Sequence, residues 1–192
     1  MPADELPVLG FGSAQDWVAW LEEHHEGSAG LWLKMAKKGA PAGTVTYAEA
    51  VEAALCFGWI DGQKGAIDEH YWRQRFTPRR GTSKWSKINR EKAEQLIASG
   101  QMRPAGLRQV EAARGDGRWD AAYEGQAAAT VPPDLAEALS HDPVAAAFFA
   151  TLTGANRYAI LYRIQDAKRA QTRAARIEKF VAMCAEHRTI YP

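Results

Sequence analysis

Cysteine is scarce in this chain: Cys56 and Cys184 are the only two in 192 residues, too few and too far apart for a disulfide framework. Each falls on an apolar helical stripe and reads as a small buried hydrophobe of a reducing compartment. The five histidines, His24, His25, His70, His141 and His187, form no H-x-x-x-H pair, so neither a metal nor a cofactor is expected. Apolar runs are short, and none approaches the ~20 residues of a membrane-spanning helix. The opening Met-Pro-Ala-Asp-Glu-Leu-Pro lacks a basic n-region, an apolar run and a small-residue cleavage site, which gives a cytoplasmic location as the expectation. Catalytic signatures are missing too: no G-x-S-x-G elbow, no phosphate-cradling glycine loop, no H-E-x-x-H and no paired Cys and His. A triad assembled from distant residues is recognised only by geometry. The enzyme reading therefore stays open behind a non-enzymatic one.

Basic residues are also missing from the front. Residues 1–33 hold no Lys or Arg, against Asp4, Glu5, Asp16, Glu22, Glu23 and Glu26. The balance reverses from Lys64 to Lys92, and a second basic segment runs from Arg157 to Arg188. The formal charge of +1 conceals this asymmetry and by itself neither favours nor excludes a polyanionic partner. With 46% hydrophobic residues the chain can bury a substantial core.

Ser13 followed by Asp16 resembles a capping box, and Trp17, Trp20, Leu21 and His24 recur at helical spacing, which predicts a helix over 14–25. Residues 31–37 read as a strand. Thr46 with Glu49 makes a stronger capping box for a helix over 47–57, which Gly58 would end in the left-handed region. A β-hairpin follows, its strands at 59–61 and 66–76 joined by Gly62-Gln63-Lys64-Gly65. Pro78 and Gly81 break the second strand. Helices are then expected after Asn89 and after Pro104, and beyond Pro133 over 133–140, 143–152, from 156 or 157 to 167, and 170–186. The fold class is α+β: a small antiparallel sheet packed by helices over 1–115, a linker over 116–133 and an all-helical module over 134–192.

The densest chemistry lies between Tyr47 and Leu96. Arg73 and Arg75, two apart, share one face of an extended strand among Tyr71, Trp72, Gln74 and Phe76, and Arg79, Arg80 and Lys84 continue the surface through the turn. Guanidinium forks beside aromatics suit anion capture or base stacking. A charged edge strand protected against aggregation is the competing reading. Asp61, near Lys64 and those arginines, either orients the cations or acts as general base, or it is an Asx-type residue of the hairpin turn. Trp59, Trp72 and Trp85 either form an aromatic wall for a ligand or belong to the core. Lys168, Arg173 and Arg176 make a second cationic patch, on a solvated helix face or paired with the acidic front.

Four separated segments carry a family resemblance: Ala54–Gly62 (Ala-Leu-Cys-Phe-Gly-Trp-Ile-Asp-Gly), Phe76–Asn89 (Phe-Thr-Pro-Arg-Arg-Gly-Thr-Ser-Lys-Trp-Ser-Lys-Ile-Asn), Gly100–Gly106 (Gly-Gln-Met-Arg-Pro-Ala-Gly) and Asp166–Ile177 (Asp-Ala-Lys-Arg-Ala-Gln-Thr-Arg-Ala-Ala-Arg-Ile). In this order they resemble the YdeI/OmpD-associated family (OmdA, bacteriocin protection), over nearly the whole chain from about Trp17. The resemblance implies a YjbR/CyaY-like front region and a helical C-terminal module whose signature is matched by Ala167-Lys168, Thr172-Arg173 and Arg176-Ile177. It also implies an association with resistance to cationic antimicrobial peptides, and it implies no defined reaction. The family is associated with the periplasm, and the missing export signal sets this chain apart from it. Residues and resemblance together give a non-enzymatic protein binding an anionic ligand, nucleic acid included, through Trp59, Asp61, Lys64, Trp72, Arg73, Arg75, Arg79, Arg80, Trp85, Lys168, Arg173 and Arg176. The alternatives are a small-molecule enzyme or sensor with a charged pocket at Asp61, Lys64 and Arg75, and an adaptor for a protein partner. The oligomeric state stays open.

Overall fold

The caps that the sequence advertises are made. In the computed structural model, which describes residues 5–192, the Ser13 hydroxyl accepts from the Asp16 amide at 3.2 Å and starts α1 (Ala14–His24). Thr46 and Glu49 exchange side-chain and backbone hydrogen bonds in a full capping box at the start of α2 (Tyr47–Cys56). These two helices pack together. Gly58, at φ 73°, turns the chain out of α2; a Cβ there would also come within 2.9 Å of the Ala105 carbonyl oxygen, so glycine is required twice over.

Four strands form one mixed sheet in the order β1-β2-β4-β3, with β1 at Val8–Leu9, β2 at Leu31–Ala36, β3 at Trp59–Ala66 and β4 at Tyr71–Pro78. The short β1 runs parallel to β2, so the sheet is not purely antiparallel as expected. The other two pairings, β2 with β4 and β4 with β3, are antiparallel.

The hairpin exists, but its turn is not at Gly62–Gly65. Those residues lie inside β3, where the register slips between Asp61 and Lys64. The chain reverses instead at 67–70, where the Asp68 carboxylate accepts from the amides of His70 and Tyr71, both at 2.8 Å. Asp68 is therefore the Asx-turn residue, and Asp61 is not. Pro78 ends β4.

The helices continue as α3 (Lys87–Ala98), α4 (Pro104–Gly115), α5 (Pro133–Ser140), α6 (Pro143–Thr151), α7 (Gly154–Gln165) and α8 (Ala170–Ala185). The described residues divide into two compact units, one of residues up to Trp85 with Asn89–Ala121, the other of Ser86–Ile88 with Ala122–Pro192. The first contains the sheet. The second has its own apolar core, in which Leu135, Phe149, Ile160, Ile164, Phe180 and Cys184 are buried. Among the described residues no helix is long and apolar enough to cross a membrane.

Candidate functional site

The sheet has two dissimilar faces, fixed by period-two alternation along each strand. Trp59 and Phe76 point to the side covered by α1. There Trp17, with no exposed surface, lies 6.3 Å from the Trp59 ring and 5.7 Å from Phe76, and Trp20 stacks on Trp17 at 5.4 Å. Indole N–H groups of this cluster find main-chain acceptors, Trp17 at Ala50 and Trp59 at His25, each at 3.1 Å. Trp59 is thus a core residue. Trp85, 2% exposed, is another, set edge-on to Trp119 at 4.9 Å.

Asp61 belongs to this same helix-side face, because it pairs with Phe76 across the strands. Its carboxylate accepts from the Tyr47 hydroxyl at 2.7 Å. Trp72 and Lys64 also lie on this side by register: Trp72 comes within 6.2 Å of the Tyr47 ring, and Lys64 pairs with Gln74. Lys64, Lys37 and Trp72 line a shallow depression of their own.

The opposite face carries Trp32 and Lys34 from β2 and Arg73, Arg75 and Thr77 from β4, with Trp32 opposite Arg75 and Lys34 opposite Arg73. Arg73 lays its guanidinium 4.4 Å from the Trp32 ring centroid, and the Lys34 ammonium sits 3.7 Å from that of Tyr71. Both arginines cross glycines of the neighbouring strand. A Cβ on Gly65 would come to 3.1 Å from the Arg73 Nε, and one on Gly62 to 3.0 Å from the Arg75 Nε. Glycine at these two places is what lets the side chains lie flat. Both Nε atoms are buried and neither has a hydrogen-bond acceptor in the protein. Buried donors without acceptors are rare.

At the Pro78 end of that face a cleft of about 320 Å³ is lined by Arg75, Thr77, Arg80 and Ser83, with Ile60 and Gly62 beside them. Arg80 and Ser83 close a turn: the Arg80 amide donates to the Ser83 hydroxyl oxygen at 2.9 Å, and the Ser83 amide donates to the Arg80 carbonyl at 2.9 Å. With its oxygen accepting in this turn, the Ser83 hydroxyl keeps a proton to donate. Asp61 also lines the cleft, with its side chain directed across the sheet to Tyr47.

Arg79 is the chain neighbour of Arg80 but no part of the cleft's donor set. It is 5% exposed, packed 3.6 Å over Trp85, and donates to the Lys84 carbonyl at 3.2 Å.

In the helical unit Arg173 grips Asp134 with a two-pronged contact at 2.5 and 2.8 Å and also donates to the Ile164 carbonyl. This contact holds the Asp134 carboxyl below the usual carboxylate range. Arg176 donates to the Arg163 carbonyl and lies 4.0 Å from Asp166. The pairing is intramolecular, with α5 and α7, while Glu22 and Glu26 of the acidic front meet Arg103 at 2.6 Å and Arg108 at 3.3 Å. Lys168 is exposed. Larger, shallower and mainly apolar depressions also lie in this unit. Among the described residues no group of three His, Cys, Asp or Glu side chains could hold a metal ion.

The predicted site residues therefore scatter. Arg75, Arg80 and Asp61 line the cleft, Arg73 lies beside it, and Lys64 and Trp72 turn to the other face of the sheet. Trp59, Trp85 and Arg79 are internal, and the aromatic wall does not form. Thr77 and Ser83 are absent from the predicted site, and the two glycines were assigned to the hairpin turn. Thr77 carried a usable signal, since it stands two residues beyond Arg75 on the same strand. Residues 9–109 match the family described as a domain of unknown function (DUF8412). Residues 128–187 match the family described as Bacteriocin-protection, YdeI or OmpD-Associated, in agreement with the resemblance of the C-terminal segment. The front match is to DUF8412, and the expected YjbR/CyaY likeness has no counterpart in it. No curated protein and no solved structure matches the chain.

Proposed function

We propose, from the premise that the chain belongs to the family described as a domain of unknown function (DUF8412), that its sheet-bearing unit is a non-enzymatic anion-binding domain working in a bacteriocin-protection role. The role is supported by the C-terminal match to a bacteriocin-protection family. The binding is supported above all by one observation: Arg75, whose Nε has no acceptor in the protein, lines a polar cleft together with Arg80, Thr77 and Ser83. A guanidinium keeps its charge at all physiological pH values and offers a fixed fork of donors, which oxyanions satisfy well.

The alternative of a small-molecule enzyme or sensor rests on Asp61, which lines the same cleft as Arg75 and whose carboxylate already accepts from the Tyr47 hydroxyl. Thermal denaturation of the full chain with sulfate, phosphate, pyrophosphate and a single-stranded oligonucleotide, at constant ionic strength, tests the proposal. At least one of these anions is expected to raise Tm in the wild type and not in Arg75→Ala. Equal behaviour of the two proteins toward all four anions removes the assignment.

A further inference from the structure

Resting on that anion-binding reading, we propose that the cleft takes a single compact phosphomonoester, held end-on by Arg75, Arg80 and Ser83, and not the backbone of a polynucleotide.

The first argument is about aromatic surface. Proteins that track single strands stack successive bases on exposed aromatic rings along a basic groove. Here every ring near the cleft is already engaged. Trp32 is 5% exposed and lies under the Arg73 guanidinium, and Tyr71 lies under the Lys34 ammonium. Trp59 and Trp85 are internal. A base arriving on this face would have to displace a cation from a ring to stack.

The second argument is about charge. A polynucleotide site spreads six to ten phosphate contacts over a surface (roughly, for a salt-sensitive binder). The arginines that could have supplied them are committed elsewhere: Arg73 to Trp32, Arg79 to Trp85 and the Lys84 carbonyl, Arg173 to Asp134. What remains in the cleft is two guanidinium groups beside the Asp61 carboxylate, enough positive charge for one phosphate and too little for a run of them.

The third argument is about shape. A volume of about 320 Å³ is at the small end of ligand cavities and suits a phosphate with a short organic body. Arg75, Arg80, Thr77 and Ser83 all line the cleft. The Ser83 hydroxyl already accepts from the Arg80 amide and so has its proton to give. The Thr77 methyl lies toward Gly30, where a Cβ would meet it at 2.7 Å, and Thr77 itself lines the cleft. The Asp61 carboxylate also lines the cleft, and its bond from the Tyr47 hydroxyl holds it toward the helix-side face that its register shares.

Isothermal titration of the full chain at pH 8 with phenyl phosphate, inorganic phosphate and acetate, alongside anisotropy of a labelled single-stranded oligonucleotide, decides the matter. One molecule of phenyl phosphate is expected to bind per chain, more tightly than phosphate alone, with acetate silent. Arg75→Lys, which keeps the charge and loses the fork, is expected to weaken it about tenfold, and Arg80→Ala comparably. Excess phenyl phosphate should displace any oligonucleotide. Phenyl phosphate binding that is unchanged in both variants overturns the assignment of the cleft. Oligonucleotide binding that phenyl phosphate does not disturb overturns the ligand class but leaves the anion-binding reading intact. If no anion binds, both fall.

Discussion

Arg79 and Arg80 are adjacent in the chain and carry the same group, yet their surroundings give them different work. Removing Arg79 would uncover the face of Trp85 and leave the Lys84 carbonyl without that donor. Arg79→Ala is expected to destabilise the protein by about 2–3 kcal/mol, and Arg80→Ala by less than about 0.5 kcal/mol, as measured by urea unfolding. Sequence could not separate them, because after Pro78 the strand alternation ends and no period says which arginine turns inward. Burial also governs the cysteines. It pushes the Cys56 thiol up to about 11, with Glu52 adding to the effect, and raises Cys184 as well. Both should remain thiols at pH 8 and react with an aromatic disulfide reagent much more slowly in the native protein than in urea. Here the apolar stripe gave the right environment in advance.

At the scale of elements, the helices were legible because their caps are local: Thr46 needs only Glu49, three residues on. The hairpin turn was not. The glycines of Gly62–Gly65 read as a turn, and only the pairing with β4 shows that this string lies within β3, where the register slips and the β4 arginines cross the glycines. Asp68→Ala should lower Tm in thermal unfolding, through the lost bonds to His70 and Tyr71. Gly62→Ala should leave stability nearly unchanged but displace Arg75 and weaken anion binding. The α5–α8 contact has a definite pH signature. Its Asp134 carboxyl is lowered in the folded state, so its stabilisation is full above the ordinary carboxylate pKa of about 4 and is lost as pH falls through the lowered value. Both side chains are partly solvent-exposed, so the contribution is about 0.5–1 kcal/mol. Thermal unfolding of wild type and Asp134→Asn should differ at pH 6 and converge in strong acid. The pairing with α5 was illegible because Asp134 and Arg173 are 39 residues apart and the acidic front offered an equally good partner on charge alone.

For the whole molecule, α+β followed by helices was readable from periodicity, and the mixed character of the sheet was not, because a two-residue β1 has no period to read. The site was legible as a neighbourhood but not as a set of residues. Sequence spacing says which side chains share a strand face, while core packing decides which of them, like Trp59 and Trp85, are withdrawn from solvent.

The burial of aromatic rings in the sheet-bearing unit has an optical consequence. The chain's seven tryptophans, Trp17, Trp20, Trp32, Trp59, Trp72, Trp85 and Trp119, all fall within that unit, and the helical one has none. Emission excited at 295 nm therefore reports on one unit alone, while far-ultraviolet dichroism is sensitive to both. Each unit has a core of its own, so the two signals are expected to trace separate urea transitions. The native chain thus carries, without any added label, a fluorophore that reads out one half of the molecule and is blind to the other.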